Sequence, residues 1–129
     1  MKFITGGAYQ GKRNFAINHL NIDKKDIYDC DIYDINKIIN SKCIYNYHIL
    51  IKNLILKDID TIESTENILL NNKDIVIIMN EIGCGIVPVD KKERFWREMC
   101  GKCGCIIAGK AETVVRVVCG TGVVIKGKL

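Results

Sequence analysis

A glycine-rich turn lies between an apolar stretch and a predicted helix at the beginning of the chain. Residues 2–5 predict a short strand, residues 6–11 a loop, and a helix is expected from about Lys12 to Leu20. The spacing Gly6-x-x-x-x-Gly11-Lys12 suits phosphate, because glycines let backbone N–H groups turn towards its oxygens and the helix N-terminus adds partial positive charge. The alternative is an ordinary glycine turn with a surface lysine after it. The strand–loop–helix context favours a phosphate-binding loop.

The predicted nucleotide-binding residues run through this loop. They are Gly6, Gly7, Ala8, Tyr9, Gln10, Gly11, Lys12 and Arg13. Lys12 is predicted as a catalytic residue, because it would bring a positive charge to the β and γ phosphates. Arg13 stands where this motif places the Ser or Thr that binds magnesium, and a guanidinium cannot replace that hydroxyl. Either Arg13 points away and leaves Mg²⁺ to water, phosphate and an acidic residue, or it contacts phosphate and neutralises charge.

Glu81 is the predicted acidic partner of the loop. It closely follows residues 74–79, Asp-Ile-Val-Ile-Ile-Met, a continuous apolar run that predicts a strand buried on both faces of a parallel sheet. Ligands of parallel sheets sit beyond the carboxyl ends of the strands, where Glu81 and the glycine loop are both expected. We therefore predict Glu81 as a catalytic residue and a magnesium ligand. The alternative is a glutamate that only caps the following turn.

Helices and strands alternate along the rest of the chain. The predicted elements are a strand in the first Asp-Ile-Tyr-Asp copy after residue 25, helices near residues 34–39, 45–56, 62–70 and 91–111, and two C-terminal strands joined at Gly120-Thr121-Gly122. Gly101, Gly104 and Gly109 weaken the prediction of the last helix. The alternation predicts an α/β, P-loop NTPase-like three-layer sandwich with a mostly parallel sheet and a C-terminal hairpin. No linker interrupts residues 1–129, so a single P-loop nucleotide-binding domain is predicted.

Composition and charge limit the classes of partner and the cellular location that are expected for this protein. The chain has 129 residues and a net charge of +4, which is spread over short basic pairs and so does not favour a nucleic-acid partner. No apolar run reaches the roughly 18 residues that a membrane-spanning helix needs. No signal-peptide pattern is found either, so a cytoplasmic protein is expected.

Seven cysteines are many for a chain of this length. Their odd number, without a secretion signal, argues against a disulfide framework and favours reduced thiols, some on a buried helical face. The alternative is a zinc site at Cys100, Cys103 and Cys105, although a closed zinc site needs a fourth ligand and no second pair is near in sequence.

Two sequence blocks together resemble a known family. The first is Ile4-Thr5-Gly6-Gly7-Ala8-Tyr9-Gln10-Gly11-Lys12, and the second is Asn80-Glu81-Ile82-Gly83-Cys84-Gly85-Ile86-Val87-Pro88, followed by Arg94, Trp96, Arg97, Glu98 and Gly101. With the valine-rich C-terminal strands, they are similar to the adenosylcobinamide kinase/adenosylcobinamide-phosphate guanylyltransferase family of cobalamin biosynthesis.

This resemblance implies an enzyme that phosphorylates the aminopropanol hydroxyl of adenosylcobinamide with ATP or GTP. It also implies transfer of GMP from GTP to the product through a histidine, a corrinoid substrate, and a homo-oligomer. His19 matches nothing in the family, and His48, near the start of an apolar helix, is interpreted as a partly buried structural histidine. We therefore expect the kinase activity more than the guanylyl transfer. The alternatives are a non-catalytic nucleotide-binding regulatory or assembly protein and a cysteine-based metal or redox module.

Overall fold

Helices and strands alternate along the chain in a computed structural model that describes residues 1–83 and 89–129. Residues 84–88 of the second glycine-rich block lie outside the described residues. In chain order the elements are β1 (Lys2–Gly6), α1 (Lys12–His19), β2 (Ile27–Asp29), α2 (Ile35–Ile39), β3 (Cys43–Tyr45), α3 (Tyr47–Leu56), α4 (Thr61–Asn71), β4 (Val76–Asn80), α5 (Lys91–Lys110), β5 (Thr113–Val118) and β6 (Thr121–Lys126).

The described strands form one six-stranded sheet in the order β2-β3-β4-β1-β5-β6. The pairs among β1 to β5 are parallel, and only β6 runs antiparallel, as the second strand of a hairpin with β5. Gly6, the last residue of β1, lies opposite Asn80, the last residue of β4. The prediction of a mostly parallel sheet with a C-terminal hairpin is confirmed.

Helices cover both faces of the sheet, which makes three layers. On one face, Phe15 and Ala16 of α1 pack in a core cluster with Ile4, Ile78 and Val115 of the central strands. On the other face, α3, α4 and α5 pack in a larger cluster whose sheet side is formed by alternate residues of the same strands. Because β4 is covered on both sides, its apolar run is nearly continuous.

Strand β3 was not predicted from the sequence. The helix predicted over residues 45–56 begins at Tyr47, and Tyr45 ends a three-residue strand instead. Three residues are too short to display a period of two. The strand is stabilised by its parallel pairing with β2 on one side and β4 on the other.

The C-terminal hairpin turns one residue earlier than predicted. Cys119 and Gly120, with φ of 49° and 76°, form a two-residue turn, while Thr121 and Gly122 already belong to β6. Two central residues with positive φ are the mark of the type I′ turn, which suits the twist of a hairpin.

The glycines of α5 do not break the helix. A Cβ on Gly104 would lie 3.1 Å from Cε of Met79, so this glycine allows α5 to approach β4 closely. A Cβ on Gly101 or Gly109 would meet nothing within 4 Å. Tertiary packing therefore outweighs low helix propensity here. Over the described part of the chain, no helix has both the length and the apolar character needed to cross a bilayer.

Candidate functional site: a groove at the phosphate loop

The loop between β1 and α1 depends on its two flanking glycines. Gly6 has a φ of 146°, and a Cβ there would lie 2.5 Å from the main-chain oxygen of Val117. Gly11, at the N-cap of α1, has a φ of 89° in the left-handed region. Side chains rarely adopt either conformation, so the glycine spacing has a direct steric reason in this structure.

Lys12 is the first residue of α1, and its ammonium lies inside the loop. The residue is only 4% exposed, and Nζ donates a hydrogen bond of 2.6 Å to the carbonyl oxygen of Gly7. Burial lowers the pKa of Lys12, and the negative charge of Glu81 opposes that shift. The ammonium is thus partly desolvated and satisfied by one carbonyl, which an anion entering the loop would replace.

The C-terminal hairpin holds the loop from one side. The N–H of Cys119 donates to Oε1 of Gln10 at 2.7 Å, and the N–H of Gly120 donates to the main-chain oxygen of Gln10 at 2.8 Å. Tyr9, with a φ of 59°, is fully exposed at the tip of the loop. The side chain of Gln10 therefore supports the loop, while Tyr9 is open to solvent.

A groove of about 640 Å³ opens beside the loop. One wall is residues 8–14, and the other is formed by the end of β3, the start of α3 and the end of β4. After β1 the chain continues to β2 at one edge of the sheet, whereas after the neighbouring strand β4 it continues to β5 in the opposite direction. The groove lies at the ends of these two neighbouring strands. Open α/β sheets bind ligands at this kind of switch point.

His48 belongs to the wall opposite the loop. It is 5% exposed, its Nδ1 accepts a hydrogen bond of 3.2 Å from the N–H of Asn80, and its main-chain oxygen accepts one of 2.8 Å from Nε1 of Trp96. Burial, and then the charge of Lys12, lower the pKa of His48 to about 4, with Asp29 opposing them. The ring is therefore neutral at pH 7 and carries its hydrogen on Nε2.

Glu81 is held by an arginine, Arg116, that was not predicted from the sequence as a site residue. Arg116 donates from Nε to Oε1 of Glu81 at 2.7 Å and from a terminal nitrogen to Oε2 at 3.2 Å. The N–H of Glu81 also donates to the main-chain oxygen of Gly6 at 2.8 Å. The carboxylate thus lies near the loop, as predicted, but both of its oxygens bind a guanidinium. A magnesium ion would compete with Arg116 for them, and the role of Glu81 as a metal ligand stays a prediction.

The two residues after Lys12 are exposed on the rim of the groove. Arg13 is the first of them, and no hydroxyl follows Lys12 on this turn of α1. Its position on the groove wall is compatible with contact to phosphate, and its exposure is compatible with pointing away. Both interpretations of Arg13 remain predictions.

The cysteines of α5 do not converge on one point. Cys100 and Cys103 are buried in the larger core cluster, whereas Cys105 is exposed. Burial raises the pKa of the Cys100 thiol to about 12, which favours the protonated form of a core residue. Within residues 1–83 and 89–129, no three His, Cys, Asp or Glu side chains are grouped closely enough to hold a metal ion.

Two comparisons bear on identity. A profile of the family described as cobinamide kinase / cobinamide phosphate guanyltransferase matches residues 37–125, which is more than half of the chain. The chain belongs to this family. The matched region includes the His48 wall, Glu81 and the hairpin, whereas the loop between β1 and α1 lies before it. The prediction that this loop binds phosphate therefore rests on its own sequence and geometry.

The family match agrees with one curated relative. The bifunctional adenosylcobalamin biosynthesis protein CobU of Salmonella typhimurium is 40% identical to this chain over 52 residues. The aligned region covers 40% of this chain and 29% of that relative. The resemblance predicted from the two sequence blocks is therefore confirmed at the level of the family.

Proposed function

We propose that this chain binds ATP or GTP in the groove and phosphorylates the hydroxyl group of adenosylcobinamide, as a cytoplasmic enzyme of cobalamin biosynthesis. The observation that carries the proposal is the buried ammonium of Lys12, which bonds to Gly7 inside a loop ordered by two positive-φ glycines. A surface lysine after an ordinary turn would have no reason to be 4% exposed. The kinase activity of the family fits this arrangement.

Phosphoryl transfer requires mainly that the protein position the substrates and neutralise the charge of the phosphates. The acceptor hydroxyl oxygen bonds to the γ phosphorus while the bond from that phosphorus to the β,γ-bridging oxygen breaks; the hydroxyl proton passes to water and the nucleoside diphosphate leaves. Lys12 and the N-terminus of α1 would neutralise the phosphates. Glu81 would act through its charge on Lys12, since its oxygens bond to Arg116.

Magnesium enters this proposal with the nucleotide. Glu81 is the predicted magnesium ligand, and its carboxylate is already paired with Arg116. Arg13 supplies no ligand in place of the usual hydroxyl. The protein groups thus do not form a magnesium shell in this arrangement, so the ion would be held by phosphate oxygens and water.

Of the two activities of the family, transfer of GMP is less supported than the kinase activity by the residues of this groove. A covalent route needs a histidine nitrogen with a free lone pair. Nδ1 of His48 already accepts from Asn80, and Nε2 therefore bears hydrogen. For His48 to accept a guanylyl group, the ring would first have to give up this bond.

A second candidate is a non-catalytic nucleotide-binding protein that regulates or assembles with a partner. The observation in its favour concerns the expected magnesium ligands. Arg13 stands in place of the hydroxyl residue, and the carboxylate of Glu81 is already paired with Arg116. Such a protein would bind nucleotide through Lys12 without needing magnesium and without turnover.

The acceptor is too large to be enclosed by the groove alone, so we also propose that a second copy completes the corrinoid site. Among the described strands, β6 lies at one edge of the sheet and exposes Val123, Val124 and Ile125. Such edges invite pairing. Light scattering of the purified protein tests this: a monomer at all concentrations would contradict the homo-oligomer.

Calorimetric titration tests the nucleotide site. GTP and ATP are titrated with and without Mg²⁺ into the wild type, Lys12→Ala, and the control Lys24→Ala, which changes an exposed lysine. We expect Lys12→Ala to weaken binding at least 30-fold, since a charged hydrogen bond to phosphate contributes roughly 2 kcal/mol or more. Lys24→Ala should match the wild type. Phosphorylation of adenosylcobinamide is then measured, and binding without turnover would favour the second candidate.

A further inference from the structure

The side chain of His48 has one nitrogen that no protein group satisfies. Nδ1 bonds to the N–H of Asn80, whereas Nε2 has no hydrogen-bond partner among the described residues. No enclosed side-chain nitrogen or oxygen in that part of the chain lacks a partner. Nε2 is therefore not sealed inside the protein, and the open space next to this residue is the groove that it lines. A ring that is 95% buried thus presents one N–H donor to the groove, since His48 is 5% exposed.

The hydrogen bond from Asn80 decides which tautomer of the His48 ring faces the groove. A backbone N–H can only donate, so Nδ1 must keep its lone pair and Nε2 must bear the hydrogen. The lowered pKa of about 4 agrees with this, because it keeps the ring uncharged near pH 7. At that pH, His48 can donate from Nε2 and cannot accept there.

The N-terminus of α3 lies beside the same groove as the His48 ring. This ten-residue helix begins at Tyr47, directly before His48, and its N-cap Asn46 also lines the groove. Asn46 adopts the left-handed conformation and gives the helix no side-chain cap; its amide instead donates to the carboxylate of Asp29. The positive end of the helix is thus left uncapped beside a neutral N–H donor.

We propose that His48 and the N-terminus of α3 form a second phosphate subsite, across the groove from the loop, which binds the phosphate ester of the phosphorylated acceptor. The first phosphate site, on the loop, would hold the nucleotide. This inference rests on the proposed function, since it assigns the two walls of one groove to the two substrates. A monoester dianion suits the wall because Nε2–H, the helix end and the nearby Lys12 all favour negative charge, with Asp29 opposing them.

Two substitutions separate the donor from the acceptor of His48. In His48→Asn, Oδ1 can take the place of Nδ1 and keep the bond from Asn80, but nothing reaches the position of Nε2. In His48→Gln, the longer amide reaches the position of Nε2 with a donor and loses Nδ1. Circular dichroism and thermal melting verify that both variants fold.

Binding is measured by calorimetry with adenosylcobinamide phosphate, inorganic phosphate, GDP and GTP. We expect His48→Asn to weaken binding of adenosylcobinamide phosphate at least about tenfold, the lower end of the effect of one hydrogen bond to a charged group. His48→Gln should stay within about threefold of the wild type, because the donor is restored. GDP, which has no third phosphate to reach the second subsite, should bind all three proteins with similar affinity.

A ligand-dependent spectroscopic signal excludes a purely structural role. In the wild type labelled with ¹⁵N, adenosylcobinamide phosphate should shift the Nε2 resonance of His48, while GDP should not. If His48→Asn weakens GTP but leaves GDP and adenosylcobinamide phosphate unchanged, the subsite belongs to the γ phosphate of the nucleotide and the proposal is wrong. It is equally wrong if no ligand depends on His48.

The two proposals fail in different ways. Absence of GTP and ATP binding to the wild type would refute the nucleotide site on the loop. The dependence of adenosylcobinamide phosphate on His48 would still be measured in that case, because its expected contacts lie on the opposite wall.

Discussion

Acid should destabilise the folded protein through His48. Its pKa is lowered from an ordinary value of 6.5 to about 4 by burial and by the charge of Lys12. Between these two values the unfolded chain binds a proton that the folded chain does not bind, so the free energy of unfolding must fall as the pH is lowered. The penalty is absent above pH 6.5, grows below it, and is complete by about pH 4.

The structure sets an upper limit on this effect. The interval between 6.5 and about 4 corresponds to at most about 3.4 kcal/mol, at about 1.36 kcal/mol for each pH unit. The groove beside the ring is open to solvent, which screens part of the cost of charging it. We therefore expect a loss of about 1–2 kcal/mol between pH 7 and pH 4.5, which is a large share of the stability of a small domain.

Urea unfolding of the wild type and His48→Asn at several pH values between 4.5 and 8 measures the effect. Other titrating groups affect both proteins alike, so the difference between their unfolding free energies isolates His48. The wild type should lose about 1–2 kcal/mol relative to the variant as the pH falls. His19→Asn, which changes an exposed histidine, is the matched control and should behave as the wild type does. Parallel curves for the wild type and His48→Asn would refute the reasoning.

Three further predictions concern the glycines of the loop, a glycine of α5 and the Glu81–Arg116 ion pair. Gly6→Ala should lower the free energy of unfolding by at least about 2 kcal/mol and weaken nucleotide binding, because its Cβ would lie 2.5 Å from a main-chain oxygen of β5. Gly7→Ala should be tolerated, because the nearest atom to its Cβ would be 3.6 Å away. Equal losses for the two variants would contradict this account. Gly101→Ala should raise the free energy of unfolding by about 0.8 kcal/mol in chemical denaturation, because it lies in a helix with free space around it; a loss would mean that the helix packs differently there. A double-mutant cycle of Arg116→Met and Glu81→Gln should give a coupling of about 0.5–1 kcal/mol, because the arginine is half exposed; a coupling near zero would mean that the pair does not persist in solution.

The strand–loop–helix turn around Gly6 and Gly11 could be predicted because its signal is local. Gly6, Gly11 and Lys12 lie within seven consecutive residues, and their spacing reflects the conformations that the backbone itself requires. The buried strand β4 was equally predictable from its apolar run. The helix α5 was predicted despite its glycines, and the bounds of most elements differ from the prediction by one or two residues.

His48 could not be assigned from its neighbours in sequence. As one polar residue at the start of an apolar helix, it fits a structural histidine, and the structure does bury it. Its place on the groove depends on strand β3, which was missed, since the turn after β3 directs the first residues of α3 towards the loop. A histidine three residues after a strand end would have been the available signal.

The sequence by itself determined the strand–loop–helix turn and the alternation of elements, because these depend on short-range spacing and on the periodicity of apolar residues. The family was indicated by the resemblance of two sequence blocks. The tertiary structure alone decided which groups meet. Asn80 bonds to His48, and Arg116 to Glu81, across 32 and 35 residues of chain, respectively. Such contacts depend on strand order and register, which place β4 and β5 on either side of β1. Register is fixed by the packing of the whole sheet, so no local pattern of residues encodes these pairs.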